Sequence, residues 1–279
     1  MPESAPASGV FATLLGIPSD EGSSYLKGPA DGPAAIRKAF LCPSSNLWTE
    51  QGVDLGASGI YDDTGDLLPA ENLPALEVIE KAAAERFSRG AIPLFLGGDH
   101  AVTFPILMAA VRRHADLTVL HLDAHPDLYD SLGGRRHSHA SPFARILETG
   151  AVGRLIQVGI RTLNGHQKSQ AERFGVEIIP AWEDATRRIE TLSGPLYLSI
   201  DLDVLDPAFA PGVSHPEPGG LSTRDVIRLV HAIEADIIGA DIVELNPLRD
   251  PLGLTAMAAA KLLKEIMGRI VRQRRTAAA

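Results

Sequence analysis

Cysteine is almost missing from this 279-residue chain: Cys42 stands alone, so no internal disulfide can form, and the expectation is a reducing, cytoplasmic setting. Basic runs are missing too. With 35 acidic against 26 basic residues and a formal charge of −9, the chain offers little to a polyanion, which argues against nucleic acid or an anionic membrane surface as partner. No apolar run reaches the ~18 residues of a membrane span, and MPESAPASG at the start carries neither a basic nor an apolar targeting segment. Aromatic residues are few, and Trp48 and Trp182 form no stripe or box. Without linker, repeat or low-complexity block, the reading is one domain over 1–279, with flexible tails at 1–9 and 275–279.

What is there is a series of short apolar runs bounded by Gly, Pro or Asp. They are FATLLGI (11–17), AIPLFLG (91–97), LTVLHLD (117–123), RLIQVGI (154–160), VEIIPA (176–181), PLYLSID (195–201) and DIIGADIVEL (236–245). Their lengths suit strands buried on both faces. Between them lie stretches with apolar residues three and four apart: 73–89, 103–113, 165–174, 222–235 and 255–271, with Ser222 and Asp225 resembling a capping box. Strands alternating with helices predict a three-layer α/β/α fold around a mainly parallel sheet.

In such sheets ligands bind beyond the carboxyl ends of the strands. Just past the runs lie His100 in GGDH (97–100), Asp123, His125 and Asp127 in DAHPD (123–127), Asp201 and Asp203 in DLD (201–203), and Glu244 in ELNP (244–247). Carboxylates crowded in a low dielectric need protons, cationic side chains or metal, and Lys and Arg are scarce in these segments. In extended backbone the two-residue spacing would put the three side chains of Asp-x-His-x-Asp on one face, and Asp201 with Asp203 likewise. Two imidazoles with four carboxylates suit a pair of Mn²⁺ ions, with Ni²⁺ the alternative, better than thiolate-bound zinc. Any one of these segments alone would more readily be a helix cap or an Asx-turn; their coincidence at one sheet edge favours metal. His121, before the strand end, reads as a hydrogen-bonded core residue. Gly97-Gly98 is no phosphate loop, since neither Gly-Lys-Ser/Thr nor GxGxxG follows; its glycines let backbone turn tightly beneath the metals.

GGDH (97–100), DAHPD (123–127), SIDLDVLDPAFAPG (199–212), PEPGGL (216–221) and DIVELNP (241–247), in this order, resemble the ureohydrolases, the arginase and agmatinase family. GPAAIRKAF (32–40) is similar to the agmatinase branch. The resemblance implies that His100, Asp123, Asp127 and Asp201 hold one Mn²⁺ and that Asp123, His125, Asp201 and Asp203 hold the other. It implies a bridging hydroxide that attacks a guanidino or amidino carbon, with Asp127 moving a proton to the leaving nitrogen. Glu244 would grip the substrate's cationic group, and His139, in HSHASPF (137–143), would shuttle protons or orient substrate. It further implies a homo-oligomer, trimer or hexamer.

The sequence departs from the family pattern at several points. His215 replaces a hydroxyl residue near the expected pocket, which makes it a substrate-binding candidate; Pro126 takes a usual Thr position, Ala140 a usual Gly, and His137 a place where agmatinases often carry Tyr. The Asn and Ser with which arginases grip an amino acid are missing from GGRRHSHA (133–140), an argument against arginine and for agmatine, hydrolysed to putrescine and urea. Arg135 and Arg136 keep a guanidino acid or formimidoyl-glutamate open as alternatives. A metal-dependent deacetylase or a noncatalytic family member are the more distant readings.

Overall fold

The computed structural model describes residues 9–68 and 74–278. Its strands are β1 (Ala12–Ile17), β2 (Tyr61–Asp66), β3 (Ile92–Gly97), β4 (Thr118–Leu122), β5 (Arg154–Ile160), β6 (Glu177–Pro180), β7 (Pro195–Asp201) and β8 (Asp236–Val243). All pair in parallel in one sheet, in the order β2-β1-β3-β8-β7-β4-β5-β6. The helices are α1 (Gly32–Phe40), α2 (Ala75–Phe87), α3 (Thr103–Val111), α4 (Pro142–Glu148), α5 (Gly165–Phe174), α6 (Thr186–Glu190), α7 (Thr223–Ala232) and α8 (Leu254–Ala278). Ile36, Val226 and Leu262 from α1, α7 and α8 pack on one face of the sheet, and Ile79, Ile106 and Phe143 from α2, α3 and α4 on the other. The expected three layers are present.

The seven apolar runs correspond to seven of the strands; all but the half-buried edge strand β6 are buried on both faces, where hydrophobicity need not alternate. The eighth, β2, is YDDTGD, an edge strand with no fully buried residue, and its polarity hid it. Asp63 and Asp66 of this strand hold Arg37 of α1, so charge guards the open edge of the sheet. Helix α7 begins as expected, with Ser222 Oγ accepting from the Asp225 amide and the Asp225 carboxylate accepting from the Ser222 amide. Helix α8 continues through the expected C-terminal tail, tied to β8 by the Ile237 amide donating to Gln273 Oε1 at 3.0 Å. The expected N-terminal tail falls, except for Gly9, outside the described residues, as do Leu73 and Ala279.

The sheet order has a functional consequence. β1, β3, β8, β7 and β4 are consecutive neighbours, so the loops leaving their carboxyl ends emerge side by side.

Candidate metal centre

The six side chains expected to bind metal are brought together at that edge. His100 Nδ1 is buried and makes no hydrogen bond, while Asp127 Oδ2 stands 3.1 Å away and Asp123 Oδ2 and Asp201 Oδ2 each 3.2 Å away. His125 Nδ1 lies 2.9 Å from Asp203 Oδ2 and 3.5 Å from Asp123 Oδ1. Asp123 therefore turns one oxygen to each group. Asp201 Oδ1 accepts from the Asp203 amide at 2.8 Å, which sets Asp201 beside the second group. An octahedral cation with bonds of about 2.2 Å, between the magnesium and calcium values, sets neighbouring ligands about 3.1 Å apart. The spacing around His100 Nδ1 fits that demand, and the mixed carboxylate and imidazole set fits a divalent ion of intermediate hardness.

The route by which these residues converge differs from the expected one. β4 ends at Leu122, so Asp123, His125 and Asp127 do not share the face of an extended strand. Asp127 reaches inward from a left-handed backbone at φ 50°, and Asp203 sits on a short 3-10 turn (Leu202–Val204) capped by Asp201. Glu244, just past β8, is also left-handed, at φ 66°. Left-handed backbone at a non-glycine residue costs of order 1–3 kcal/mol and collects at functional sites. Two of the three proposed catalytic residues carry that strain.

Supporting groups fix the protonation of the histidines. Ser199 Oγ donates to Asp241 Oδ1 at 2.6 Å, so it accepts from His100 Nε2–H at 3.0 Å, which turns Nδ1, the nitrogen that would bind metal, toward the carboxylates. Tyr197 and Thr103 donate their hydroxyls to the other oxygen of Asp241. His121 is the fully buried core residue expected: Gln157 Nε2 donates to its Nδ1, and its Nε2–H is aimed at Asp123 Oδ2 at 2.7 Å. Charge crowding is evident in the acids. Burial, followed by the charges of neighbouring carboxylates, raises Asp201 well above the usual range and Asp203 to about 7. A bound cation would relieve that crowding.

His139 and Glu244 form the rim. Glu244 Oε1 accepts from the His100 amide at 2.9 Å and lies 3.5 Å from His139 Nδ1. Burial pushes the Glu244 carboxyl up, but His139 and the His100 amide outweigh it and hold the group below its ordinary value. His139 Nε2 meets Ser24 Oγ at 2.8 Å, and the His215 ring stacks on His139 with centroids 4.8 Å apart. These residues, with His125 and Asp127, line a cavity of about 290 Å³. Arg136 points away from it, paired with Glu148, whereas Arg135 donates to the carbonyls of Glu21 and Ser23 in the loop that brings Ser24 to the rim.

That loop, after β1, escaped the sequence reading, although the strand-edge rule applied to FATLLGI would have singled out SDEGSSY (19–25). Gly98 anchors it. A Cβ on Gly98 would lie 1.8 Å from Ser19 O, while the Gly98 carbonyl accepts from the Glu244 amide at 2.8 Å. Close approach, rather than a left-handed turn, is what this glycine permits. Gly98→Ala is expected to destabilise the protein by about 3 kcal/mol in urea unfolding and to impair substrate binding through Glu244. An unchanged unfolding midpoint would refute the contact.

The sequence model of the Arginase family matches residues 11–268. The chain belongs to the arginase family. It is 44% identical over 276 residues to arginase 1, mitochondrial, of Arabidopsis thaliana, an alignment covering 92% of this chain and 80% of that protein. To the mitochondrial agmatinase of Gallus gallus it is 32% identical over 284 residues, covering 96% and 83%. The solved arginase from Medicago truncatula superposes with a TM-score of 0.87 at 38% identity, covering 95% of this chain and 88% of that one. This arginase-family chain is thus a hydrolase with the family fold and with His/Asp clusters suited to metal.

Two expectations are affected. The cytoplasmic placement is corrected, because these curated relatives are mitochondrial proteins by name. A lone cysteine marks a reducing environment and does not separate cytosol from an equally reducing organelle. The lean towards agmatinase is also weakened, since arginase is the more similar of the two relatives.

Proposed function

We propose that the protein hydrolyses the guanidino group of a small linear substrate, releasing urea, at a centre of two Mn²⁺ ions held by His100, Asp123, Asp127, Asp201, Asp203 and His125. The observation that carries this reading is Asp123, whose two oxygens face separate histidine-carboxylate groups within one buried cluster. The metal pair, when bound, supplies Lewis acidity and lowers the pKa of water. The remaining work falls to side chains. Glu244 presents a carboxylate to the planar guanidinium, a pairing strengthened by charge-assisted hydrogen bonds. Asp127, at 3.1 Å from His100 Nδ1 and on the cavity wall, accepts a proton and delivers it to the leaving nitrogen. His139, between Ser24 and Glu244, holds the second transferable proton and orients the substrate, while His215 covers it.

Arginine is the substrate this reading favours, replacing agmatine as first choice. The Asn and Ser of arginases are missing, but exposed Arg135 reaches across to the carbonyls of Glu21 and Ser23 beside Ser24, so a carboxylate can take the place of these backbone partners. The similarity to plant arginase supports the same choice. Agmatine, which has no carboxylate, is the second reading, supported by the Gly32–Phe40 motif. Urea release with manganese is expected to be faster from arginine than from agmatine. Arg135→Ala should raise KM for arginine about tenfold, the loss of one charge-assisted contact, and leave KM for agmatine unchanged. A higher kcat/KM for agmatine would reverse the order. We retain a homo-oligomer, trimer or hexamer, in this reading; exposed Leu248, Leu252 and Leu254 before and at the start of α8 support it.

A further inference from the structure

A second group of donors stands beside the dinuclear cluster. Ligand atoms of His139, His215 and Glu244 all lie within 4.8 Å of one another. Among the described residues neither ring nitrogen of His215 has a hydrogen-bond partner; its neighbours are the rings of His139 at 4.8 Å, Tyr25 at 5.8 Å and His125 at 6.2 Å. Both ring nitrogens are therefore uncommitted within the described protein. His139 is already oriented: Nε2 meets Ser24 Oγ at 2.8 Å, and Nδ1 faces Glu244 Oε1 at 3.5 Å.

We propose that His139, His215 and Glu244 form a third cation site, selective for Zn²⁺, that competes with the substrate's guanidinium for Glu244. Two imidazoles and one carboxylate with an open fourth position are a zinc set, unlike the carboxylate-rich cluster beside it. Tetrahedral zinc, with bonds of about 2.0–2.2 Å, asks for ligands about 3.4 Å apart. The His139–Glu244 pair already has that spacing, and His215, half-buried, takes the third position by turning out of its stack on His139 and closing at most about 1.4 Å. Repulsion from the neighbouring centre is small, because its four carboxylates balance two divalent ions. The site does not depend on which guanidino compound is the substrate. Zinc there would occupy the position of the organic cation, so excess zinc inhibits without removing manganese.

The test counts metals. Manganese-loaded protein is equilibrated with zinc in excess free Mn²⁺, passed through gel filtration and analysed by mass spectrometry. About one zinc per chain beside two manganese ions is expected in the wild type, and His215→Asn should hold zinc about 100-fold more weakly while keeping both manganese ions. Zinc entering only as manganese leaves, or binding equally to His215→Asn, overturns the proposal. A zinc-edge anomalous map of wild-type crystals decides independently of any variant: density bonded to His215 supports the site, and density confined to the Asp123 cluster overturns it.

Discussion

Asp123→Asn is expected to give a folded protein that holds one metal ion per chain or fewer and releases urea at least about 10³-fold more slowly, a barrier increase of ~4 kcal/mol. Four contacts meet at this carboxylate. Oδ1 accepts from the His125 amide at 2.6 Å and faces His125 Nδ1, while Oδ2 takes the His121 Nε2–H at 2.7 Å and faces His100 Nδ1. An amide of the same shape removes a unit of negative charge and replaces one acceptor with a donor. Placed at Oδ2, the new NH₂ opposes the His121 N–H; placed at Oδ1, it opposes the His125 amide. Either orientation leaves a buried donor without a partner, at a cost of about 1–3 kcal/mol, well within what a domain of this size survives. The loss should therefore appear in metal content and kcat, with the circular dichroism spectrum preserved. A variant retaining two metals and a tenth of the activity would show that Asp123 does not join the two halves of the centre.

The centre was legible in the sequence because its residues follow buried strands, and a run such as PLYLSID announces both the strand and the place where its side chains emerge. The geometry that joins them was less legible. DAHPD reads as an extended segment with period two, yet Asp127 arrives through a left-handed turn that pattern alone does not encode. The polar edge strand β2 and the loop at Ser24 were missed for a related reason: neither carries an apolar run, so hydrophobic spacing is silent about them. Arg135 and Arg136 show the limit most clearly. Adjacent and alike in sequence, one donates to the carbonyls of the loop carrying Ser24 and the other pairs with Glu148, a difference set by the fold around them.

Removal of metal should lower the melting temperature on the order of 15 °C at pH 8. Each ion present at about 1,000 times its dissociation constant contributes ~4 kcal/mol, and a chain of this length shifts by roughly 2 °C per kcal/mol. The pH dependence is the sharper result, since the metal-free form should weaken with pH while the metal-bound form stays nearly level. In the metal-free protein Asp203 is raised to about 7 by burial and then by the charge of Asp123. A carboxyl whose folded value exceeds its unfolded value near 3.9 costs stability as pH rises between the two, at about 1.4 kcal/mol per unit. His100 and His125, raised despite burial by the carboxylates around them, act in the same direction above pH ~6.5: their stabilisation is complete below the unfolded value and fades towards the folded one. Asp123, lowered by its histidines against the effect of burial, titrates below pH ~4, outside this window. The metal-free form should thus weaken from pH 6 to 8. Metal binding, by contrast, requires these groups deprotonated and tightens over the same interval. Thermal melts with and without EDTA at the two pH values should show the gap widening with pH. Equal gaps would mean that protons and metal do not compete for Asp203, and coincident melts at pH 8 would mean that no metal is bound there at all.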